Sequence, residues 1–320
     1  MNTNTTTAVS RRSGVLAAHS VDTFVFTVPD ITVALEFYTA FGLDVRQDGQ
    51  RLDIYTFGHA HCWATIYEAG TSKQLQYVRF GIFADDESAF RQRIAEQGIA
   101  IAPHALGDAR GIWFRNPDGT ATQLVVAPKV SPSIKTAHTL LPAGRGSLGA
   151  APARSQVPAV QPYHLSHILL FSPDVSRMVA FCCDVIGLRL SDRSGDVVAF
   201  LHSPHGSDHH LVAFAKSHAP GLHHSSWAVG NIDEIGFGAE HMREAGWDKG
   251  WGLGRHVLGS NYFHYVQDPW GSFCEYSFDI DHVSASVDWS AGDHAPADSF
   301  YVWGPAVPEN FITNCEPVQT

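Results

Sequence analysis

The chain contains its own copy, and that repeat restricts the fold more than any local propensity does. HLSHILLFSPD over 164–174 matches SVDTFVFTVPD over 20–30, each closing on Pro-Asp. Phe181 follows Pro173 at the interval at which Phe37 follows Pro29. GLHHSSWAV (221–229) corresponds to QLQYVRFGI (74–82), and the helical stretch Asp233–Ala245 to Asp85–Gln97, with a glycine after each. The turn at Asp268-Pro269 corresponds to that at Asn116-Pro117. Within the first copy, 20–28 alternates like a half-buried strand. Asp30 is placed to cap a helix over 31–41, where Val33, Phe37 and Phe41 recur at helical spacing and Gly42 closes the run. Strand-like segments follow at Arg51–Phe57, Cys62–Tyr67 and Leu75–Phe83, then an amphipathic helix over 85–97 and a hairpin turning at Asn116-Pro117-Asp118-Gly119. Strand, helix and strands, twice per half, is an α+β pattern.

A length of 320 residues suffices for two ordinary domains. The spacing predicts a flexible polar leader over 1–18, a first domain over 19–128 and a Pro/Ala/Gly-rich linker over 129–162. A second domain follows over 163–283, and then an aromatic tail over 284–320. Arg11-Arg12 ahead of Val15–Ala18 has the start of an export signal, but the apolar stretch is short and His19 ends it, so a cytoplasmic protein is expected. A formal net charge of −11 without a basic patch excludes a nucleic-acid partner. No apolar run approaches the ~20 residues of a membrane helix, which excludes a membrane partner of that kind. The five cysteines are odd in number and lack CxxC spacing, so free thiols are expected.

Histidine is unevenly distributed: 14 of the 19 lie in residues 161–320. The duplication supplies an internal control for them. His167 stands six residues before Pro173, where the first copy has Thr23; His224 corresponds to Tyr77; Glu275, six residues after Pro269, corresponds to Gln123. A lone strand histidine is more often a satisfied core group than a ligand, and Glu275 alone would find a partner in Arg255. Three ligand-type residues on three strands, all replaced in the sister domain, point instead to a metal ion. Two imidazoles and one carboxylate are the donor set of a non-haem Fe(II) centre with open positions, and Mn(II) accepts the same set. Strand alternation puts His167 on one face with Leu165 and Leu169, and puts His223 and His224 on opposite faces of theirs.

These motifs, with DHHLVAF (208–214) and GRHVLGSNYFHYVQDPWGSFCEY (254–276), resemble the type I extradiol ring-cleavage dioxygenases of the vicinal oxygen chelate superfamily. The resemblance covers both domains in layout and is specific over roughly 160–280. It implies four βαβββ modules paired into two barrel-like domains, with metal only in the second. It implies His167, His224 and Glu275 as metal ligands and His210 as the acid/base. His256 and Tyr265 take the positions that contact substrate and oxygen, with Ser260 and Asn261 as further substrate contacts. The implied reaction uses Fe(II), a small-molecule catechol and O2, and the implied assembly is a homo-oligomer. A histidine acid/base suits neutral pH because its unperturbed pKa is ~6.5.

No lysine or arginine follows Arg255. The tail carries Trp289, Phe300, Tyr301, Trp303 and Phe311, and is expected to pack on the second domain and cover the pocket mouth. A carboxylated catechol would want a cationic partner that such a lid lacks. The expected substrate is therefore a catechol with a neutral or apolar substituent, unless Arg189, Arg193 or Lys216 reaches in. The alternatives at this stage are a metal-dependent isomerase or lyase of the glyoxalase type and a non-catalytic small-molecule-binding protein on the same fold.

Overall fold

The computed structural model describes residues 8–140 and 149–317. Part of the expected leader, linker and tail lies outside those residues. In the first half, β1 (Ser20–Val28) leads through a tight Pro-Asp turn into α1 (Ile31–Ala40). Asp30 caps that helix by accepting hydrogen bonds from the Thr32 and Val33 amides. Then come β2 (Asp44–Asp48), β3 (Arg51–Tyr55), β4 (Ala64–Glu68) and β5 (Gln74–Ile82), followed by α2 (Glu87–Glu96), β6 (Ile112–Arg115) and β7 (Ala121–Val126). Their order in the sheet is β2-β3-β4-β1-β5-β7-β6. β1 and β5 run antiparallel at its centre, and each has a parallel outer neighbour, β4 and β7 respectively.

The second half rebuilds this plan. It contains β8 (His164–Ser172), α3 (Val175–Phe181), β9 (Arg189–Ser194), β10 (Val198–His202), β11 (Ser207–Asp208) and β12 (Val212–Lys216). β13 (Gly221–Ala228), α4 (Ile232–Glu244), β14 (Gly250–His256), β15 (Tyr262–Gln267) and β16 (Phe273–Phe278) complete the repeat. The tail adds β17 (His282–Val283), β18 (Gly292–Asp293), α5 (Pro296–Ser299) and β19 (Tyr301–Trp303). The sheet order is β18-β9-β10-β12-β8-β13-β16-β15-β14-β19, so the tail closes both edges of the large sheet. The α+β expectation and the modular plan hold, with one reduction. In the second module the strand that should flank β6 survives only as a bridge between Ile101 and Phe114, because Pro103 and the loop after it cannot continue a ladder.

Register places the internal control on firm ground. Thr23 faces Arg79, which faces Gln123; His167 faces Ser226, which faces Glu275. The two rows are equivalent across three strands. β2 has no counterpart in the strand-like segments of the sequence. Its residues DVRQD are polar apart from Val45 and mostly exposed, and it exists because each pairs with β3 at the sheet edge.

The halves share one continuous apolar core. Phe41 stacks on Tyr276 with ring centroids 3.9 Å apart, and the Tyr276 hydroxyl donates to the Phe41 carbonyl. Gly238 in α4 is required there: a Cβ would come within 2.7 Å of the Tyr276 ring. Glu316 near the chain end accepts from the Leu75 amide of β5 and the Leu222 amide of β13, both at 2.8 Å. Residues 10–18, expected to be loose, are held. Arg11 pairs with Asp85 and Asp86, Arg12 with Asp288, and Ala17 and Ala18 are fully buried. Two short apolar residues tucked between the halves outweigh the polar composition around them. Among the described residues no helix is long and apolar enough to cross a membrane, and all five cysteines are free.

Lys73 and Asp268 form a buried ion pair between the halves. Removing one charge leaves the other without compensation, which costs about 3–5 kcal/mol. Lys73→Met is therefore expected to lower unfolding stability by about that amount, read by chemical denaturation.

Candidate metal centre

Glu275 lies in the middle of β16 with no solvent exposure, in a strand whose other residues are Phe273, Cys274, Tyr276, Ser277 and Phe278. A carboxylate there needs hydrogen bonds or a cation. Arg255 is not that cation: its Nε donates to the Ser260 carbonyl and its Nη1 to the Tyr262 hydroxyl. One carboxylate oxygen, Oε1, accepts from the Asn261 amide at 3.0 Å. The other, Oε2, is buried and among the described residues has no hydrogen-bond donor.

Two imidazole nitrogens face that oxygen. His167 Nε2 is 3.3 Å from it and His224 Nε2 is 3.6 Å, and the two nitrogens are 3.2 Å apart. His167 comes from β8, His224 from β13 and Glu275 from β16, three adjacent strands. Both histidines are buried. Burial drives His224 well below the usual histidine value, and the neighbouring His223 adds to it, so His224 does not supply the missing positive charge. Burial pushes Glu275 up, but the adjoining His167 ring, with His256 and Ser226 adding, outweighs it and the carboxyl is held low. Three lone-pair donors thus crowd one point, an arrangement that suits a metal ion.

Each donor is held from behind. His167 Nδ1 reaches Ser166, whose hydroxyl donates to Asp208. His224 Nδ1 is 2.7 Å from His223 Nδ1, and His223 Nε2 is 2.7 Å from the Phe311 carbonyl. A carbonyl only accepts, so in the neutral ring His223 carries its proton on Nε2 and accepts from His224, which leaves His224 Nε2 free. Asn261 bridges Glu275 and Ser277. The sequence expectation that His223 and His224 face opposite sides is not met. The register slips between Leu222 and His224, a bulge that sets the two rings side by side.

A cavity of about 300 Å³ opens beside these donors. His210, His256, Asn261 and Tyr265 line it. The His210 ring lies 4.0 Å from that of His167 and edge-on to Phe200. Burial, with His167 nearby, holds it well below the usual histidine value, so it is a neutral base. His256 Nε2 meets the Tyr265 hydroxyl at 2.9 Å and its Nδ1 meets the Phe300 carbonyl at 2.9 Å. Burial, with Glu275 adding, keeps the Tyr265 hydroxyl protonated far above the ordinary tyrosine range. Ser260 does not reach the cavity: it adopts a positive φ of 63°, and its hydroxyl turns away to Asp281. Most of the remaining wall is apolar, including Leu169, Val198, Phe200, Leu258, Phe300 and Ile312, with Ser194 and Ser299 among its polar members. Of the cations that might have reached in, only Lys216 borders the cavity, and it pairs with Asp196. Arg189 pairs with Asp288, and Arg193 bonds the Gly195 carbonyl.

The paired-module sheets and the inward cluster of two histidines and a glutamate define a metal-dependent enzyme scaffold. Residues 164–276 match the model of the Glyoxalase/Bleomycin resistance protein/Dioxygenase superfamily. Metapyrocatechase 2 of Cupriavidus necator is 50% identical over 94% of this chain and 93% of its own length. Among solved structures, the Mn(II)-bound glyoxalase from Novosphingobium aromaticivorans superposes with a TM-score of 0.72 at 25% identity, covering 92% of this chain and 94% of that one. A variant of homoprotocatechuate 2,3-dioxygenase from Brevibacterium fuscum gives 0.75 at 16% identity, covering 98% and 85%, and supports the fold alone. The chain belongs to the type I extradiol ring-cleavage dioxygenases of the vicinal oxygen chelate superfamily. It is a ring-cleaving dioxygenase.

His223→Phe keeps an aromatic ring in place but leaves the His224 Nδ1–H buried without an acceptor. Unfolding of the metal-free protein in chelator should show a loss of about 1–3 kcal/mol, the cost of one orphaned buried donor.

Proposed function

We propose that the protein is an Fe(II)-dependent extradiol dioxygenase whose substrate is a catechol bearing a neutral or apolar substituent, with His167, His224 and Glu275 as the ligands. The observation that carries this reading is the fully buried Glu275 Oε2, which has no hydrogen-bond donor and faces two imidazole nitrogens. Mn(II) accepts the same donors and is the competing metal. Bound there, the ion supplies chelation that acidifies the catechol hydroxyls and brings the ring and dioxygen into electronic contact.

The chain's own groups do the rest. His210, neutral and facing the cavity, takes a proton from the substrate and returns it as the ring opens. Tyr265 and His256 form a hydrogen-bonded pair beside Glu275, placed to hold an oxygen of the substrate or of dioxygen. Asn261 keeps the Glu275 carboxylate aimed at the ion. Phe200, Leu258, Phe300 and Ile312 grip the ring and keep water out, which strengthens each polar contact inside. Lys216 stands at the exposed edge of the cavity and shares its charge with Asp196, so a charged substituent deeper in would meet a largely apolar wall.

The decisive experiment is anaerobic purification, loading with Fe(II) or Mn(II), and measurement of oxygen uptake and yellow ring-fission product over a panel of catechols. One O2 consumed per catechol is expected, and Glu275→Ala should lose bound metal and uptake together. Absence of uptake with every catechol would sink the reading.

Within the same panel, alkyl or aryl catechols should exceed a carboxylated one in kcat/KM by about 10- to 100-fold, matching about 1–3 kcal/mol for an unpaired buried polar group. A carboxylated catechol that matches or outperforms them contradicts the substrate assignment.

A further inference from the structure

Two pairs of adjacent histidines lie at the cavity, which His210, His223 and His224 line, and they are wired alike. In His223–His224 the outer ring is anchored by the Phe311 carbonyl. In His209–His210 the anchor is a carboxylate. His210 Nδ1 is 3.0 Å from His209 Nδ1, and His209 Nε2 is 2.8 Å from Asp192 Oδ2. Asp192 stands on β9 and is fixed in turn: its Oδ1 accepts from the Gly292 amide at 2.8 Å and meets His294 Nε2 at 2.8 Å. His209 is fully buried, with Trp289 edge-on to its ring at 5.3 Å, its amide donating to the Asp281 carbonyl and its own carbonyl accepting from Ser191. Nothing in the chemistry assigned so far uses Asp192, His209 or His294.

The geometry decides which nitrogen carries each proton. Asp192 lies at three donor-capable nitrogens, the Gly292 amide, His209 Nε2 and His294 Nε2, and an ionised carboxylate only accepts. The His209 proton on this side is therefore on Nε2. A neutral imidazole with its proton there presents Nδ1 as an acceptor, and among the described residues the group facing it is His210 Nδ1. His210 must then carry its proton on Nδ1, and its remaining nitrogen, Nε2, is left with a free lone pair. The opposite tautomer of His210 would set two lone pairs against each other across 3.0 Å in a buried place.

We propose that Asp192 and His209 are positioning residues that fix the tautomer of His210, so that its Nε2 meets the substrate unprotonated. The inference rests on His210 being the acid/base of the proposed reaction. It extends the working site from the cavity to the tail, because Gly292, His294 and Trp289 all hold the dyad from outside.

The test uses the full chain loaded with Fe(II), with kcat, KM, iron content and melting temperature measured for each variant. Asp192→Asn keeps the shape but offers a donor as readily as an acceptor, so either tautomer of His209 fits. His209→Gln reaches toward Asp192 but puts no acceptor at His210. Both are expected to lower kcat by about 10- to 100-fold, the usual effect of losing such an outer partner, with KM little changed and iron retained. His209→Asn places its amide oxygen near the position of the lost Nδ1 and should recover most of the kcat that His209→Gln loses. The proposal is overturned if Asp192→Asn and His209→Gln keep the kcat of the parent protein while His210→Gln abolishes it. It is equally overturned if His209→Asn is no better than His209→Gln. Should Asp192→Asn lose iron or melt early, the Asn/Gln comparison at position 209 decides alone. A parent protein that consumes no oxygen with any catechol overturns the reading of the site itself, a distinct result from either of these.

Discussion

A carboxylate with one unanswered oxygen in the middle of a buried strand is the constraint around which the second half is built. Among the described residues Glu275 Oε2 has no hydrogen-bond donor, so the strand is compatible with folding only if a cation arrives or the neighbouring groups tolerate the charge. β8 and β13 answer by turning His167 and His224 toward it, and the loop before β15 answers by giving Oε1 to Asn261. Behind each donor stands a partner that sets its orientation: Ser166 with Asp208, His223 with the Phe311 carbonyl, Asn261 with Ser277. A site assembled this way is rigid before any ligand enters, because moving one donor breaks a buried hydrogen bond elsewhere.

The tail is more than a cover. Its backbone carbonyls at Phe300 and Phe311 anchor His256 and His223, its β18 and β19 close the two sheet edges, and Glu316 ties β5 to β13. Main-chain carbonyls carry no mark in the sequence. For that reason aromatic composition pointed to a lid, while the structure assigns the same segment a part in orienting two histidines of the cavity.

The first half shows the same scaffold without the two histidines and the glutamate. At the register position of Ser226 it has Arg79, and around that guanidinium it gathers Gln123 and Asp108, with Asp22 at 3.9 Å. A fixed side-chain cation occupies the place where the second half leaves two imidazoles and a carboxylate crowding one point. The cavity there, about 470 Å³, is lined by Arg51, Arg79 and Arg110 with acidic partners, in contrast to the apolar wall of the second. Duplication thus preserved the strands and their register while the chemistry of the two cavities diverged.

Much of this was legible in the sequence. The repeat, the α+β modules, and the coincidence of His167, His224 and Glu275 at equivalent places in three strands follow from spacing alone, because strand period and turn position are local properties. The dismissal of Arg255 as a partner, the withdrawal of Ser260 from the cavity and the packing of residues 10–18 do not. Neither does the pairing of His223 with His224, since one bulged residue cancels the alternation on which the reading of faces depends. The sequence by itself determined which residues could bind and where the duplicated strands run. Only the tertiary structure decided which nitrogen each histidine presents, because that depends on acceptors such as Asp192 and the Phe311 carbonyl, which lie far along the chain and meet the rings only once the sheet has closed.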